Sequence, residues 1–190
     1  MRDQVEANLR TLGRERLDVV NLRRPEVGPG ITVSDDELVD LDDQLAVLME
    51  LRDAGVIGGI GLSAVREETV RRALPAGIVC VQNAYSVLSR AFEDELALCR
   101  AEGIAWVPYF PLGSGFPQLP KVADDPVVQE IASEVDATPA QVGLAWLLAH
   151  APDILLIPGT GSIAHLEENA GAGDVRLSAE QQSRLDALGD

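Results

Sequence analysis

The chain has 190 residues, 46% of them apolar, with a mean hydropathy of +0.08, which is enough for one compact domain with a real core. A formal net charge of −16 repels phosphate backbones, and no basic run exists that would dock on an anionic membrane. No apolar stretch is long enough to span a bilayer and MRDQVEANLR carries no signal-type apolar core, so the expected location is the cytoplasm.

Residues 2–12 read as an amphipathic helix with Val5, Leu9 and Leu12 on one face and Gly13 as its stop. A short apolar run at 17–22 reads as a strand, and 24–31 as a Pro/Gly-rich loop. Ser34 and Glu37 have the spacing of a capping box, and the helix expected behind them carries Leu41, Leu45 and Leu48 and ends at Gly55. Strands are then predicted at 56–62, 77–81, 104–109 and 154–157, and helices at 67–74, 91–101, 126–135, 139–149, 163–170 and 179–188. Pro126 and Pro139 fit first helical turns, and Ser178 fits an N-cap. Cys80 and Cys99 lack any metal-type spacing and read as small core hydrophobes in a reducing compartment.

The pattern is five strands, each followed by helix, which implies a parallel sheet in a single α/β domain over 1–190. Two architectures fit. One is a segment of a (β/α)8 TIM barrel, whose complete form needs roughly 250 residues. The other is a five-stranded doubly wound, flavodoxin-like sheet. Strand number favours the second and the content of the loops favours the first.

Both folds place their sites at the C-terminal ends of the strands. In chain order these ends carry Arg23 and Arg24, then Ser63, then Gln82 and Asn83 with Tyr85 just beyond, then Tyr109, Phe110 and PLGSG, and last PGTGS at 158–162. No carboxylate occupies any of them, which argues against glycosidase chemistry and against metal-assisted enolisation. The acidic pairs lie in loops or first helical turns, where they complement the helix dipole. His150 and His165 have no partner at ligand spacing, so no metal site is expected.

The run Gly159-Thr160-Gly161-Ser162 leads straight into a helix. Such a turn offers free N–H groups and hydroxyls to an anion, and equally serves as a plain strand-to-helix turn with a serine cap. Gly59-Ile60-Gly61-Leu62-Ser63-Ala64 matches the G-x-G-x-x-A dinucleotide fingerprint, but its glycines fall within a predicted strand, and the next strand ends in Gln82 where an acid should grip a ribose. These glycines are expected instead to let the backbone pack closely in the sheet.

The ordered set LGRERLDVVNLRRP, GVIGGIGLSA, VCVQNAYS, WVPYFPLGSG, AQVGLAWLL and ILLIPGTGSIAHLEENAGA resembles the aldo-keto reductases. The resemblance implies that these strands are the fourth to eighth of a TIM barrel, that the chain is N-terminally truncated, and that the activity is NADPH-dependent reduction of aldehydes or ketones. It implies that Ser63 and Gln82 hydrogen-bond the nicotinamide carboxamide and that Tyr109 stacks on the ring. Leu112 and Ser114 would follow the pyrophosphate. Gly159, Thr160, Ser162, His165, Glu168 and Asn169 would surround the adenosine and its 2′-phosphate, with NADP(H) favoured and NAD(H) also compatible.

The sequence departs from the family pattern in four places. Ala64 stands where an asparagine usually follows Ser63, and Gly159 and His165 stand at positions that often carry bases. Arg23 stands where the family has a histidine that polarises the substrate carbonyl; an arginine also donates to a carbonyl oxygen and stays charged. The catalytic aspartate, tyrosine and lysine of the family match no residue here, so the chain alone is expected to be inactive. The alternative is a non-catalytic partial barrel that binds dinucleotide or a protein, with open sheet edges that favour self-association.

Overall fold

The computed structural model describes residues 1–30, 33, 34, 36, 39–116 and 119–189. Four strands, β1 (Leu17–Arg23), β2 (Ile57–Ser63), β3 (Ile78–Gln82) and β4 (Ala105–Trp106), form one sheet in the order β1-β2-β3-β4, and every pairing is parallel. The helices are α1 (Arg2–Leu12), α2 (Leu41–Asp53), α3 (Glu67–Ala73), α4 (Glu93–Ala101), α5 (Pro126–Glu134), α6 (Pro139–His150), α7 (Ile163–Ala170) and α8 (Ala179–Asp186).

Local chemistry sets most of the helix ends. Gly13 closes α1 in the left-handed region at φ 60°, donating its N–H to carbonyls of the last turn. Asp125 caps α5 ahead of Pro126, and reciprocal capping boxes start α6 (Thr138 with Gln141) and α8 (Ser178 with Gln181). Two details differ from the sequence reading. Leu12 is 63% exposed, so the buried stripe of α1 is Val5 backed by Leu9. The cap of α2 is Asp40, whose carboxylate accepts from the N–H groups of Asp42 and Asp43, so the helix starts after the Ser34 position; Glu37 lies outside the described residues.

The fifth predicted strand, 154–157, is reduced to one parallel bridge between Trp106 and Ile154. Trp106 N–H donates to the Asp153 carbonyl at 2.9 Å, and Leu155 N–H donates to the Trp106 carbonyl at 2.8 Å. The next rung of a parallel ladder needs an N–H from residue 108. That residue is Pro108, which has none, and the ladder stops.

One sheet face carries Leu22, Ile60, Leu62 and Val81, which are nearly or fully buried and form a continuous core with Leu41, Leu45, Leu48 and Leu51 of α2 and with Leu96, Leu98 and Cys99 of α4. The other face is open: Val19 and Val79 are 44% and 43% exposed. A doubly wound sheet is covered by helices on both faces. One covered face and one open face, with parallel strands followed by helices, is the geometry of part of a TIM barrel wall.

Gly59 and Gly61 lie within β2, on that open face. A Cβ on Gly59 would sit 2.9 Å from a Val79 methyl, and one on Gly61 would enter the Asn21 side chain and lie 2.6 Å from Cys80 Sγ. The glycines therefore serve close packing across the sheet, as the sequence context implied, and their place inside a strand removes the fingerprint reading.

Candidate active site

Parallel pairing brings the ends of the first three strands into line. Arg23 lies in register with Ser63, and Ser63 with Gln82. Tyr109 joins them through an isolated bridge to Ala84: its N–H donates to the Asn83 carbonyl at 3.1 Å, and its carbonyl accepts from Tyr85 N–H at 3.3 Å. These four residues, with Pro29, Gly30, Phe110 and Phe116, line a cleft of about 450 Å³.

The backbone around the cleft is held from behind. Asn83 is fully buried, and its side-chain amide grips both backbone groups of Val65, accepting from N–H at 3.1 Å and donating to the carbonyl at 2.8 Å. This holds the turn after β2, in which Ala64 adopts φ 55°. Asparagine tolerates that left-handed conformation better than alanine does, so the turn carries some strain.

The loop after β1 is tied by a buried ion pair. Arg24 Nε donates to Glu26 Oε1 at 2.7 Å, and Arg24 Nη1 donates to the Val39 carbonyl at 2.8 Å and also reaches Gln44. Glu26 Oε2 accepts from Arg66 N–H at 3.1 Å and from the Thr69 hydroxyl at 2.8 Å, at the start of α3. From this anchor the loop crosses the cleft. A Cβ on Gly28, whose φ is +102°, would lie 2.5 Å from the Tyr109 hydroxyl. Glycine is thus required twice at this point, for its backbone and for its size.

The electrostatics of the cleft follow from its lining. Among the described residues that line it, Arg23 is the one charged group and none is a carboxylate. Burial raises the Tyr109 phenol above its ordinary value, with the Arg23 guanidinium pulling the other way, so the ring is neutral at physiological pH. Among the described residues, the Ser63 hydroxyl, the Gln82 amide and the Arg23 guanidinium have no hydrogen-bond or ion-pair partner in the protein. Three strand ends thus direct unused polar groups to one space.

The other residues singled out in the sequence sit elsewhere. Leu112 packs toward α6, where a Cβ on Gly143 would lie 3.5 Å from its Cδ2. The Ser114 hydroxyl accepts from Phe116 N–H at 3.0 Å, so the 112–114 turn connects two cleft-lining rings without lining the cleft itself. Gly159, Thr160 and His165 are exposed. Thr160 Oγ1 accepts from Ser162 N–H at 3.1 Å, and Ser162 caps α7 by accepting from His165 N–H at 3.4 Å. Glu168 accepts from the Thr138 hydroxyl at 2.5 Å, and Asn169 borders a separate apolar recess with Leu156 and Pro158. The structure therefore gathers Arg23, Ser63, Gln82 and Tyr109 in one cleft, leaves Leu112 and Ser114 in a turn behind it, and sets Gly159 to Asn169 on the last turn and α7.

Tyr85, beyond the third strand end, is not in the cleft. It is fully buried, donates to Glu93 Oε1 at 2.6 Å, lies 3.0 Å from His150 Nε2 and stacks on Trp146. Among the described residues no three His, Cys, Asp or Glu side chains converge as a metal site would require. Sequence reasoning passed over Gly28, Pro29, Gly30, Phe116 and the Arg24–Glu26 pair. The run Gly28-Pro29-Gly30 was the available signal of a shaped loop at a strand end.

Comparison with known proteins gives a consistent result. The model of the aldo/keto reductase family matches residues 1–190. Pyridoxine 4-dehydrogenase of Escherichia coli is 44% identical over 185 residues, covering 97% of this chain and 62% of that protein. An uncharacterized oxidoreductase of Schizosaccharomyces pombe is 31% identical over 192 residues, covering 58% of its length. A thermostable aldo-keto reductase crystallised with the inhibitor epalrestat superposes with a TM-score of 0.83 at 30% identity, over 97% of this chain and 64% of that one. Aldose reductase from Giardia lamblia shares the fold, with a TM-score of 0.84 at 20% identity over 98% of this chain and 66% of that one. The chain thus spans about three-fifths of the length of these relatives. With a family model matched end to end and strand ends that meet at one cleft, this chain belongs to the aldo/keto reductase family.

Proposed function

We propose that this chain forms the cofactor-holding part of an NADPH-dependent reductase of small aldehydes or ketones. The observation that carries this reading is the register Arg23–Ser63–Gln82, three unused polar groups on one cleft walled by the Tyr109 ring. That donor set fits a nicotinamide. Ser63 and Gln82 hydrogen-bond its carboxamide and fix which ring face points outward, and Tyr109 backs the ring. The 112–114 turn follows the pyrophosphate. The segment from Gly159 to Asn169 takes the adenosine and its 2′-phosphate, using the exposed Thr160 and His165. When bound, the reduced nicotinamide supplies a hydride for the carbonyl carbon.

Arg23 is the residue of this chain placed to donate to the carbonyl oxygen, standing at the family's histidine position. A developing alkoxide also needs a proton donor. The family's catalytic aspartate, tyrosine and lysine match no residue among these 190, and Tyr85, the remaining tyrosine, is turned into the core. The chain by itself therefore binds dinucleotide without turnover. Fluorescence titration of the purified chain with NADPH and NADH tests this, together with turnover assays of an aldehyde panel with NADPH and of the alcohol pyridoxine with NADP+ in the reverse direction. Saturable NADPH binding without turnover is expected. Lack of binding, or turnover by this chain, overturns the reading.

A second reading rests on the open sheet face with Val19 and Val79 and on β1 as an edge strand: a partial barrel that associates with itself. Sedimentation of the purified chain decides it, a sharp monomer counting against. The two buried free thiols, Cys80 and Cys99, support a reducing compartment, the cytoplasm. Among the described residues no helix is long and apolar enough to cross a membrane.

A further inference from the structure

Phe110 breaks two rules of the backbone at once. Its φ is 56°, in the left-handed region that a bulky side chain rarely enters. It also precedes Pro111, whose ring drives the residue before it toward extended conformations. Elsewhere the chain meets a positive φ with glycine, seven times among the described residues, and the other exceptions there are the smaller Ala64 and Asp136. A glycine would serve the backbone better at 110, so the reason for phenylalanine lies in its ring.

The conformation is imposed from both sides. Upstream, Tyr109 is bonded to the backbone of Asn83 and Tyr85. Downstream, Gly113 N–H donates to the Phe110 carbonyl at 2.9 Å, and Val122 N–H donates to the Leu112 carbonyl at 3.1 Å. Phe110 makes the bend between these anchors, and the bend leaves its ring half-buried on the cleft and outside the core. There it stands edge to face with Tyr109, centroids 5.4 Å apart and planes at 81°, and Phe116 packs beside it at 6.0 Å. The hydroxyl end of Tyr109 is fitted against Gly28. The Tyr109 ring is thus held at its tip by the loop after β1 and along its side by the ring that follows it.

We propose that Phe110 is a positioning residue. Its ring braces the Tyr109 ring at the angle against which a nicotinamide stacks, and the strained backbone is what brings the brace into place. This rests on the reading of Tyr109 as the partner of the nicotinamide. Phe110 acts through Tyr109 and requires no contact of its own with the cofactor.

Two variants of the purified chain separate ring from backbone. Phe110→Ala removes the ring and keeps the strain, and Phe110→Gly removes both, so Phe110→Gly should melt roughly 2–4 °C above Phe110→Ala. Both should weaken NADPH by about three- to tenfold, the worth of one edge-to-face pair. Both should bind adenosine 2′,5′-bisphosphate, which has no nicotinamide, as the parent chain does. Phe110→Tyr should restore NADPH affinity. The chain has two tyrosines, so ring labelling gives Tyr109 its own NMR signals with Tyr85 as the internal control. In Phe110→Gly without ligand, the Tyr109 ring signals should move while those of Tyr85 stay. Unchanged NADPH affinity in Phe110→Ala and Phe110→Gly, an equal loss for both ligands, or unmoved Tyr109 signals overturns the proposal. If the parent chain does not bind NADPH, the cofactor reading falls, and the brace on Tyr109 stands if its ring signals move and falls if they do not.

Discussion

The Tyr109 hydroxyl occupies the place that a side chain on residue 28 would need, 2.5 Å from the position of a Cβ. The loop after β1 and the Tyr109 ring in the segment beyond β4 are therefore fitted to each other with no room to spare. Gly28→Ala should displace either the loop or the ring. It also forces a Cβ into φ +102°, a combined cost of about 1–3 kcal/mol. Thermal denaturation should show the loss, and NADPH affinity should fall further than melting alone explains. Unchanged binding in Gly28→Ala would separate Tyr109 from the cofactor.

Ser63 and Gln82 make their case by being unused. Removing either side chain deletes no protein hydrogen bond among the described residues, so Ser63→Ala and Gln82→Ala should leave the melting temperature near that of the parent chain. Each should weaken NADPH by roughly 0.5–1.5 kcal/mol, the net value of one hydrogen bond, measured by fluorescence titration. Loss of stability without loss of affinity would make both residues structural.

Gly61 gives the opposite pattern. A methyl group there meets Asn21 and Cys80, so Gly61→Ala should destabilise the chain by about 1–3 kcal/mol through overpacking. Its effect on NADPH affinity, measured well below the melting temperature, should be small. A variant of full stability with impaired NADPH binding would revive the fingerprint reading of the 59–64 run.

Glu26 is buried and holds two elements at once. Glu26→Ala leaves Arg24 charged and unpaired in the interior, a loss of about 3–5 kcal/mol for breaking one side of such a pair. Urea denaturation should register it. The double variant Arg24→Met, Glu26→Leu should recover a substantial part, because it removes the stranded charge as well as its partner.

Burial pushes the Cys99 thiol up to about 12, and the Cys80 thiol is raised by the same cause. A thiol raised in the folded state binds its proton more tightly there than in the unfolded chain. Its contribution to stability is therefore complete below the unfolded value near 9 and is lost as pH climbs from there toward about 12. Denaturant midpoints should fall across that window, and Cys99→Ala should flatten the fall. Alkylation of either thiol at neutral pH should be slow unless the chain is unfolded first.

Much of this was legible in the residues. Apart from the start of α2, apolar periodicity, Pro126, Pro139 and Ser178 located helices to within a residue or two, and the order of strand ends indicated the meeting of Arg23, Ser63, Gln82 and Tyr109, though not that Tyr85 and the 159–162 turn would stay apart from them. Arg23, Ser63 and Gln82 meet because parallel strands in register bring equivalent positions level, a rule that needs no coordinates, and Tyr109 joins them through an isolated bridge to Ala84 beyond the short β4. The missing fifth strand was equally written in the chain, since Pro108 deletes the donor its ladder needs. It escaped notice because ladder bonds belong to pairs of strands, whereas pattern is read along one. The Arg24–Glu26 pair and the Gly28 contact were harder to foresee. Both depend on a loop turning back on itself, and loop direction is decided by partners distant in sequence such as Gln44, Thr69 and Tyr109.

Glu26 has one further consequence. A single carboxylate fastens the exit of the first strand to the entrance of α3, so the tip at 27–30 hangs from a fixed hinge pin. Residues at that tip other than the two positive-φ glycines can be exchanged to reshape the mouth of the cleft while Gly28 stays fitted to the Tyr109 hydroxyl. The scaffold thereby separates the part that recognises from the part that must not move, and new tips that retain Gly28 and Gly30 are the natural route to altered selectivity.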